Sequence, residues 1–263
     1  MFIPEITMRL KILQLNILAG RFIDTVAHFL TANNYDLIHL QEVARGAWFD
    51  THQSFDNFGY LKKKLGKGYH GELAIAAKKI SDPTSYFANA TFYRTKFQLL
   101  ERKIIWLKKF RLLKERQERA IQDDPRNALC LKLQHNHSVL HSINTHLTWG
   151  PKPRDQEYKI TQAKRLYRYL KTLTQPFILT GDFNLTPDTK IVKMFETIAV
   201  NLIKEYHVTN TLNPRVHYAQ ELFPKGLAID YIFTSPTIKA SSFAVVNQPN
   251  LSDHFGLQTE IEL

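Results

Sequence analysis

Carboxylate, amide and imidazole side chains stand at the ends of apolar runs, where a strand leaving a core would ordinarily finish in turn-forming residues. These side chains belong to Asn16, Glu42, His146, Asp182, Asn184, Asp230, Asp253 and His254. Each has an ordinary structural explanation by itself, such as a turn cap or a hydrogen-bonded core histidine. Together they supply oxygen ligands for a hard divalent cation and acid–base groups for a phosphate ester. The set therefore predicts metal-assisted hydrolysis at phosphorus.

Short apolar runs that alternate with segments of helical period must position these residues, a pattern typical of a layered α/β or α+β domain. Strands are predicted over residues 10–17, 36–41, 73–77, 128–133, 139–145, 176–180, 228–234 and 255–261. Helices are predicted over residues 22–32, 155–173 and 188–199. In the helix of residues 155–173, apolar residues recur at spacings of three and four, and Lys159 is predicted on the opposite, polar face.

Length and composition favour a single globular domain over residues 1–263. Of the 263 residues, 44% are apolar, and no Pro/Gly-rich linker divides the chain. No apolar run reaches the roughly 18 residues of a membrane span, and the first residues lack the pattern of a secretion signal. We expect a cytoplasmic protein, and a monomer. The single cysteine, Cys130, excludes an internal disulfide, and its apolar neighbours predict a buried, inert thiol.

The positive charge is concentrated in one segment. Residues 61–122 contain 16 Lys and Arg against 5 Asp and Glu, and this excess equals the whole net charge of +11. Such a surface attracts polyanions, so nucleic acid or an anionic membrane face is an expected partner; the alternative is a solvated surface that only aids solubility. Residues 99–122 mix apolar and basic residues, and they predict a long basic hairpin or an amphipathic helix. We expect a basic loop or hairpin insertion at about residues 95–125.

Six sequence blocks occur in a fixed order along nearly the whole chain. The blocks are the strand with Asn16, Gln41-Glu42, Thr145-His146-Leu147, Gly181-Asp182-Phe183-Asn184, Asp230-Tyr231 and Ser252-Asp253-His254. In this order they resemble the endonuclease/exonuclease/phosphatase superfamily, which includes DNase I-like nucleases, exonuclease III-like enzymes, neutral sphingomyelinases and inositol phosphatases. The resemblance implies an α/β fold of four layers, a sandwich of two packed mixed β-sheets flanked by helices, with the site at one edge of the sheets.

The resemblance also implies a metal site made of oxygen ligands. Glu42 would be the main ligand of Mg²⁺ or Mn²⁺, with Asn16 beside it directly or through water. Asp253 would add a carboxylate at the metal or at the neighbouring histidine. Mg²⁺ suits so few protein ligands because it keeps several of its waters.

The remaining residues take catalytic roles from the same resemblance. Asp182 would orient and deprotonate the attacking water, and Asn184 would contact the phosphoryl oxygens. His254, held by Asp230, would stabilise or protonate the developing negative charge, and His146 would donate to the phosphate from the opposite side. Positive charge is needed there because an anionic nucleophile attacks an anionic centre. Asp230 can fix the tautomer of His254 and raise its pKa.

Two further residues have alternative interpretations. Glu72 precedes the predicted strand of residues 73–77, where it would orient His146 if the register of that strand allows it. Arg126 stands at the beginning of another strand, where it is either a phosphate ligand or an ordinary surface arginine.

The motifs predict the reaction but not the leaving group. The first hypothesis is a nuclease acting on DNA or RNA, with four aromatic residues that either stack on bases or pack in the core. These residues are Tyr86, Phe92, Tyr93 and Trp106. The second hypothesis is a phosphodiesterase for a lipid headgroup such as sphingomyelin, or a phosphatase for inositol phosphates or nucleotides, because residues 104–113 could insert at an anionic interface. A third is a metal-binding scaffold without activity.

Overall fold

The apolar runs of the sequence form two mixed β-sheets in the computed structural model, which describes residues 8–48, 55–115, 120, 123–217 and 223–263. The sheets pack face to face, and helices cover their outer faces. Four layers form because most central strands are apolar on both faces and bury both of them. The predicted α/β sandwich of two packed mixed sheets flanked by helices is confirmed.

The elements are numbered in chain order. The strands are β1 (Arg9–Asn16), β2 (Leu37–Arg45), β3 (Tyr69–Lys79), β4 (Tyr86–Arg94), β5 (Gln98–Lys108), β6 (Arg111–Leu113), β7 (Arg126–His135), β8 (Ser138–His146), β9 (Phe177–Asp182), β10 (Val200–Asn201), β11 (Asp230–Thr234), β12 (Lys239–Val246) and β13 (Gly256–Glu262). The helices are α1 (Ile23–Ala32), α2 (Asn57–Leu65), α3 (Glu157–Leu170), α4 (Lys190–Glu196) and α5 (Leu202–Glu205). Short 3-10 turns span Leu18–Gly20 and Gly66–Gly68.

One sheet has seven strands in the order β12-β13-β1-β2-β4-β3-β6, and the other has six in the order β10-β11-β9-β8-β7-β5. The neighbours β1 and β2 are parallel, as are β8 and β9. Parallel strands end on the same side of a sheet, and β11 begins opposite the last residue of β9. We call this side, where β1, β8 and β9 end, the site end of the sandwich.

Helices occupy both outer layers because each presents one apolar face. Helices α1 and α2 cover the seven-stranded sheet, where Val26 and Leu61 pack among its buried side chains. Helices α3 and α4 cover the six-stranded sheet through residues such as Leu166 and Val192. Complete burial of one such side chain contributes about 1.5–3 kcal/mol, so these helices are held mainly by packing.

The two sheets are also joined by polar side chains in their common interior. His39 on β2 is fully buried and reaches across to β8 and β9, where its ring nitrogens contact the hydroxyls of Ser142 (2.6 Å) and Thr180 (2.7 Å). Burial lowers the pKa of His39 to about 3, so the imidazole is neutral and can donate one hydrogen bond and accept the other. This contact fixes how one sheet lies on the other.

The predicted strands and helices are all present, with ends that differ by a few residues, but the structure contains strands that the sequence patterns did not predict. Of these, β5 and β6 lie in the segment predicted as a basic hairpin or an amphipathic helix. That prediction is wrong for the described residues, because β5 pairs with β7 in one sheet and β6 pairs with β3 in the other. The chain crosses between the sheets at Lys109 and Phe110.

Candidate active site

Asp182, the last residue of β9, stands at the centre of a polar cluster at the site end. Its Oδ1 accepts a hydrogen bond from the Asn184 backbone N–H (2.8 Å), and its Oδ2 accepts one from the Asn16 amide (3.1 Å). The same Oδ2 lies 3.4 Å from Nε2 of His146 and 3.8 Å from Nε2 of His254. Burial raises the pKa of Asp182 above its ordinary value, partly offset by the charge of His254.

His254 and Asp230 form a buried pair beside this cluster. Nδ1 of His254 lies 2.8 Å from Oδ2 of Asp230, which also accepts a hydrogen bond from the Thr211 hydroxyl (2.7 Å). Burial alone would lower the pKa of His254, but the charges of Asp230, Asp253 and Asp182 outweigh it and raise the pKa well above the ordinary value. The imidazole is therefore a cation at neutral pH.

A chain of buried amides supports this pair from the opposite sheet. The Gln14 amide on β1 donates to Oδ1 of Asp230 (2.9 Å) and to the Gln41 side chain (2.8 Å). Gln41 in turn donates to Asn144 on β8 (2.7 Å), whose amide donates to the Leu40 carbonyl (3.0 Å). The sequence patterns did not point to Gln14, because it sits inside an apolar run and its partner Asp230 is 216 residues away.

Replacing Gln14 by Leu should lower both stability and turnover. The substitution leaves Oδ1 of a buried carboxylate without its donor, which costs about 1–3 kcal/mol of unfolding free energy. It also loosens the support of His254, for which we expect a loss of roughly 10- to 100-fold in kcat. Denaturant unfolding and steady-state kinetics would measure these losses.

Thr91→Val is the matched control for Gln14→Leu. The Thr91 hydroxyl is buried on β4 and has no hydrogen-bond partner among the described residues. Valine has nearly the same shape and removes an unpaired polar atom, so the control should be at least as stable as wild type and keep its turnover. A Gln14→Leu protein with unchanged kcat would show that Thr211 alone holds Asp230 well enough.

Glu42 lies on a β-bulge, although the sequence predicted that strand β2 would already have ended there. The pairing of β2 with β4 shifts between Leu40 and Val43, so that two residues of β2 stand opposite Asn89 alone. Glu42 itself has a φ of 57°, a left-handed conformation that costs a non-glycine residue energy. A bulge of this kind redirects a side chain, and here it turns Glu42 toward the site end.

The surroundings of Glu42 fit a divalent cation. Its Oε2 is buried and has no hydrogen-bond partner among the residues described. Burial, the charge of Asp253 and, more weakly, that of Asp182 raise the pKa of Glu42 to about 8, while His254 and the Asn16 side chain lower it. An unpaired carboxylate oxygen among other carboxylates is the donor set that Mg²⁺ or Mn²⁺ prefers. The predicted ligands Asn16, Glu42 and Asp253 therefore lie where such an ion could be held.

The Gly181-Asp182-Phe183-Asn184 segment requires its glycine for a steric reason. A Cβ on Gly181 would lie 2.0 Å from the Thr145 carbonyl oxygen of the neighbouring strand β8. Three residues later, Asn184 has a φ of 52°, and its amide donates to the Leu147 carbonyl (3.1 Å). The close approach of β8 and β9 thus places His146 and Asp182 side by side in register.

Gly181→Ala should unfold the protein far more easily. The added methyl group forces β8 and β9 apart at the site end, and we expect a loss of at least about 3 kcal/mol in unfolding free energy. Gly66→Ala is the control, since Gly66 also has a positive φ (68°) but nothing lies within 4 Å of its added Cβ. That change should cost only backbone strain, about 1–3 kcal/mol. Equal losses in chemical denaturation of both variants would contradict the steric argument.

His146 is neutral in this structure. Its Nε2 lies 3.1 Å from the Asn184 amide nitrogen, and since that nitrogen also donates to a carbonyl, Nε2 accepts. Burial lowers the pKa of His146 well below its ordinary value, and the charges of Arg126 and His254 add to the effect. The expected donation to phosphate therefore requires a substrate that displaces this amide contact.

Two basic residues at the site are buried, which the sequence patterns did not predict. Arg126 is buried rather than on the surface, and its guanidinium donates to the Leu147 carbonyl (3.3 Å). Lys159, predicted on the polar face of its helix, is also buried, and its Nζ donates to the Asn184 carbonyl (3.1 Å). Burial lowers the pKa of Lys159 to about 8, the Asp182 charge opposes this, and that of Arg126 adds to it.

The structure decides between several alternatives that the sequence left open. Glu72 does not orient His146, because its carboxylate forms an ion pair with Arg102 on β5 (2.8 Å). Among the four aromatic residues considered for base stacking, Tyr86, Phe92 and Tyr93 are buried in the core. Trp106 is half-buried. The predicted burial of Cys130 is confirmed.

A group of basic residues lies along the site end. The ends of β2, β3, β5 and β6 lie there. Near the end of β3, Ala77 pairs with Phe87 of β4 and with Arg111 of β6. The Phe87 ring lies 6.2 Å from the ring of His146, the last residue of β8. We call this group the basic rim; it comprises Arg45, Lys78, Lys79, Lys108, Lys109, Arg111 and Lys114. Glu115 and Asp123 offset part of its charge.

The basic residues of α2 lie elsewhere. Lys62, Lys63 and Lys64 occupy its last turn, next to the start of β3. That start pairs with the end of β4, on the side of the sheet opposite the site end. The excess charge of the segment is thus divided between the two sides of the sandwich.

Comparison with known proteins agrees with the fold and with the motifs. The profile of the Endonuclease/Exonuclease/phosphatase family matches residues 13–254. Comparison with the curated proteins finds no match. The solved structures similar to this chain include a family protein from Bacteroides thetaiotaomicron, with a TM-score of 0.71, 18% identity and coverage of 98% of both chains.

Two further similar structures have specific names. A mannosyl-6-phosphatase from Bacteroides thetaiotaomicron VPI-5482 superposes with a TM-score of 0.70 at 19% identity, covering 96% of this chain and 99% of the other. The human Nocturnin catalytic domain with bound sulfate gives 0.69 at 18% identity, with coverage of 96% and 93%. At such identities the similarity demonstrates the fold alone.

The extent of the profile match defines the class of protein. The chain belongs to the Endonuclease/Exonuclease/phosphatase family, whose members are divalent-metal-dependent phosphoric ester hydrolases. It is therefore a metal-dependent phosphoesterase. Among the helices of the described residues, none combines the length and apolar character needed to cross a membrane.

Proposed function

We propose that this protein hydrolyses phosphodiester bonds of DNA or RNA, with Mg²⁺ or Mn²⁺ as its cofactor. The basic rim supports this substrate class, because it extends the positive charge beyond the reacting centre along the site end. A single phosphate ester needs charge only at the phosphorus, whereas a polynucleotide presents phosphates at regular intervals. Counterion release from such a chain is the main source of its affinity.

The catalytic roles follow from the protonation states of two buried groups. Asp182, with its raised pKa, accepts the proton of the attacking water, and Asn16 fixes the orientation of its Oδ2. His254, kept cationic by Asp230, donates toward the oxygen that becomes negative as the ester bond breaks. Two groups with opposite charge and shifted pKa values thus serve as base and acid.

The remaining site residues bind the cation or the phosphate, or hold other site residues in position. Glu42, Asn16 and Asp253 would hold the divalent cation, which when bound supplies Lewis-acid polarisation of a phosphoryl oxygen. Asn184 contacts the phosphoryl oxygens through its amide, once this group leaves the His146 ring. His146 then faces the phosphate from the side opposite His254. Lys159 holds the Asn184 backbone in its left-handed conformation.

Removing three positive charges from either side of the sandwich tests whether the substrate is a nucleic acid. In an Asp182→Asn background, Lys78, Lys109 and Arg111 of the basic rim are changed to Ala. The control changes Lys62, Lys63 and Lys64, which removes the same charge from the other side of the sandwich. DNA and RNA affinity is measured by fluorescence anisotropy over a range of salt concentrations.

We expect the rim variant to bind nucleic acid more weakly than its parent. The slope of log association constant against log salt concentration should become shallower by up to about 2.7. The control should behave as the parent. Equal behaviour of the two variants, or affinity independent of salt, would refute the nucleic-acid proposal. Hydrolysis of plasmid DNA and single-stranded RNA with each metal, using Asp182→Asn as the blank, identifies the preferred polynucleotide.

A lipid-headgroup phosphodiesterase is the second candidate, and one observation favours it. Ile80, Phe110 and Leu112 are 53%, 43% and 50% exposed and lie among the residues of the basic rim. Exposed apolar side chains among lysines and arginines suit the surface of an anionic bilayer. Binding to anionic vesicles and hydrolysis of sphingomyelin, with neither polynucleotide cleaved, would support this candidate. Inositol phosphates, nucleotides and mannose 6-phosphate complete the substrate panel.

A further inference from the structure

His217 lies beside the candidate active site but has no part in the proposed reaction. One ring nitrogen of His217, a carboxylate oxygen of Asp253 and a ring nitrogen of His254 all lie within 4.8 Å of one another. The centres of the two imidazole rings are 6.1 Å apart. His217 is 9% exposed, so its side chain lies at the wall of the site and not in bulk solvent.

The backbone fastens His217 to the segment that carries the other two residues. Asn213 donates its backbone N–H to the Asp253 carbonyl (2.8 Å) and its side-chain amide to the Ser252 carbonyl (2.9 Å). The Asn213 carbonyl then accepts from the backbone N–H of His217 (2.9 Å), which closes one helical turn. This turn fixes the approach of the His217 ring, so the three donors are largely preorganised.

The type of donor distinguishes this cluster from the magnesium site at Glu42. Two imidazoles and one carboxylate form a mixed nitrogen and oxygen set, which favours Zn²⁺ over Mg²⁺. The Nδ1 of His254 is already bonded to the Asp230 carboxylate (2.8 Å), so Nε2 is the nitrogen that zinc would bind, with release of its proton. A carboxylate behind a histidine is the usual outer partner of a zinc-bound imidazole. Three protein ligands leave a fourth position for water.

We propose that His217, Asp253 and His254 form a zinc site, and that zinc bound there inhibits the phosphoesterase. Inhibition follows because Nε2 of His254 cannot bind zinc and also donate toward the leaving oxygen. Asp253 is shared with the predicted magnesium ligands, so both metals compete for one carboxylate. The inhibition rests on the proposed function, whereas the binding of zinc does not.

Direct binding tests the site without substrate. Zinc is titrated calorimetrically into the metal-free protein, and Co²⁺ serves as a spectroscopic probe of the same ligands. The variant is His217→Gln, and the control is His28→Gln, which changes an exposed histidine of α1. We expect one zinc ion per wild-type or control protein, and an affinity at least about 10-fold lower for His217→Gln.

Activity with a chromogenic phosphodiester at saturating Mg²⁺ provides the second readout. His217→Gln should keep the activity measured without zinc, and it should need at least about 10-fold more zinc for half-inhibition. Zinc affinity that is the same with and without His217, or that is lost only in Glu42→Gln, would overturn the proposal. If no phosphate ester is hydrolysed, the proposed function fails, but calorimetry still decides whether the zinc site exists.

Discussion

His254→Gln should lower kcat by about 10²- to 10⁴-fold. Glutamine keeps an amide that can donate to Asp230, but it cannot carry the positive charge that the three neighbouring carboxylates maintain on His254. Charge developing on the leaving oxygen is then no longer offset in a buried site. Steady-state hydrolysis of a chromogenic phosphodiester measures the loss, and KM should change much less than kcat.

Two controls make the interpretation of His254→Gln specific. His28→Ala removes an exposed histidine of α1 and should leave kcat unchanged. The His254→Gln protein should still be stabilised by Mg²⁺ or Mn²⁺, because Glu42 remains. Turnover within threefold of wild type would exclude His254 as the acid of the reaction.

Glu42→Gln should abolish the response to the divalent metal and yet stabilise the metal-free protein. Removing the carboxylate weakens metal affinity by at least about 10- to 100-fold, since even outer partners contribute that much. In the metal-free protein the same carboxylate is buried beside Asp253 without a partner for its Oε2, so a neutral amide is better tolerated. Thermal unfolding with and without Mn²⁺ measures both effects.

The pH dependence of stability provides an independent readout. The pKa of Glu42 is raised from 4.5 to about 8 in the folded protein, so the folded state holds this proton more tightly than the unfolded state. The tighter binding of this proton contributes fully to the free energy of unfolding below pH 4.5, and the contribution is lost as pH rises through 8. Glu42→Gln should remove this part of the decline, and a saturating metal should do the same for wild type.

Glu72→Gln is the matched control for Glu42→Gln. It removes one carboxylate from the same sheet, but Glu72 pairs with Arg102 at a distance from the site. This variant should keep the metal-induced rise in melting temperature and the wild-type pH profile. Loss of the metal response in both variants would point to a general effect of charge and against a site at Glu42.

The features that were predicted from the sequence depend on residues close together along the chain. The Gly181-Asp182-Phe183-Asn184 segment and the Asp253-His254 pair were identified because the chemistry and the turn occur within a few residues. The structure brings all eight predicted site residues to one end of the sandwich. A layered α/β or α+β domain was predicted from the alternation of apolar strands and amphipathic helices. The four-layer sandwich itself was predicted from the resemblance of the six sequence blocks to the superfamily.

Other features depend on contacts between distant parts of the chain, which no local pattern indicates. Gln14 is an isolated polar residue in an apolar run until its partner Asp230 is known. Lys159 is placed on the polar face by helical periodicity, yet it is buried because two separate segments, at Lys152 and Asn184, each supply a carbonyl oxygen to it. The 99–122 segment has an ambiguous pattern because it serves two sheets in succession.

The bulge at Glu42 makes the predicted metal site dependent on one additional residue in β2. Deleting that residue would restore regular pairing with β4 and remove a left-handed non-glycine conformation. The strand would become more regular, but the carboxylate would no longer face Asp253. Selection for thermal stability alone therefore favours loss of the predicted metal ligand. An engineered, more stable version of this fold must keep the bulge at this residue.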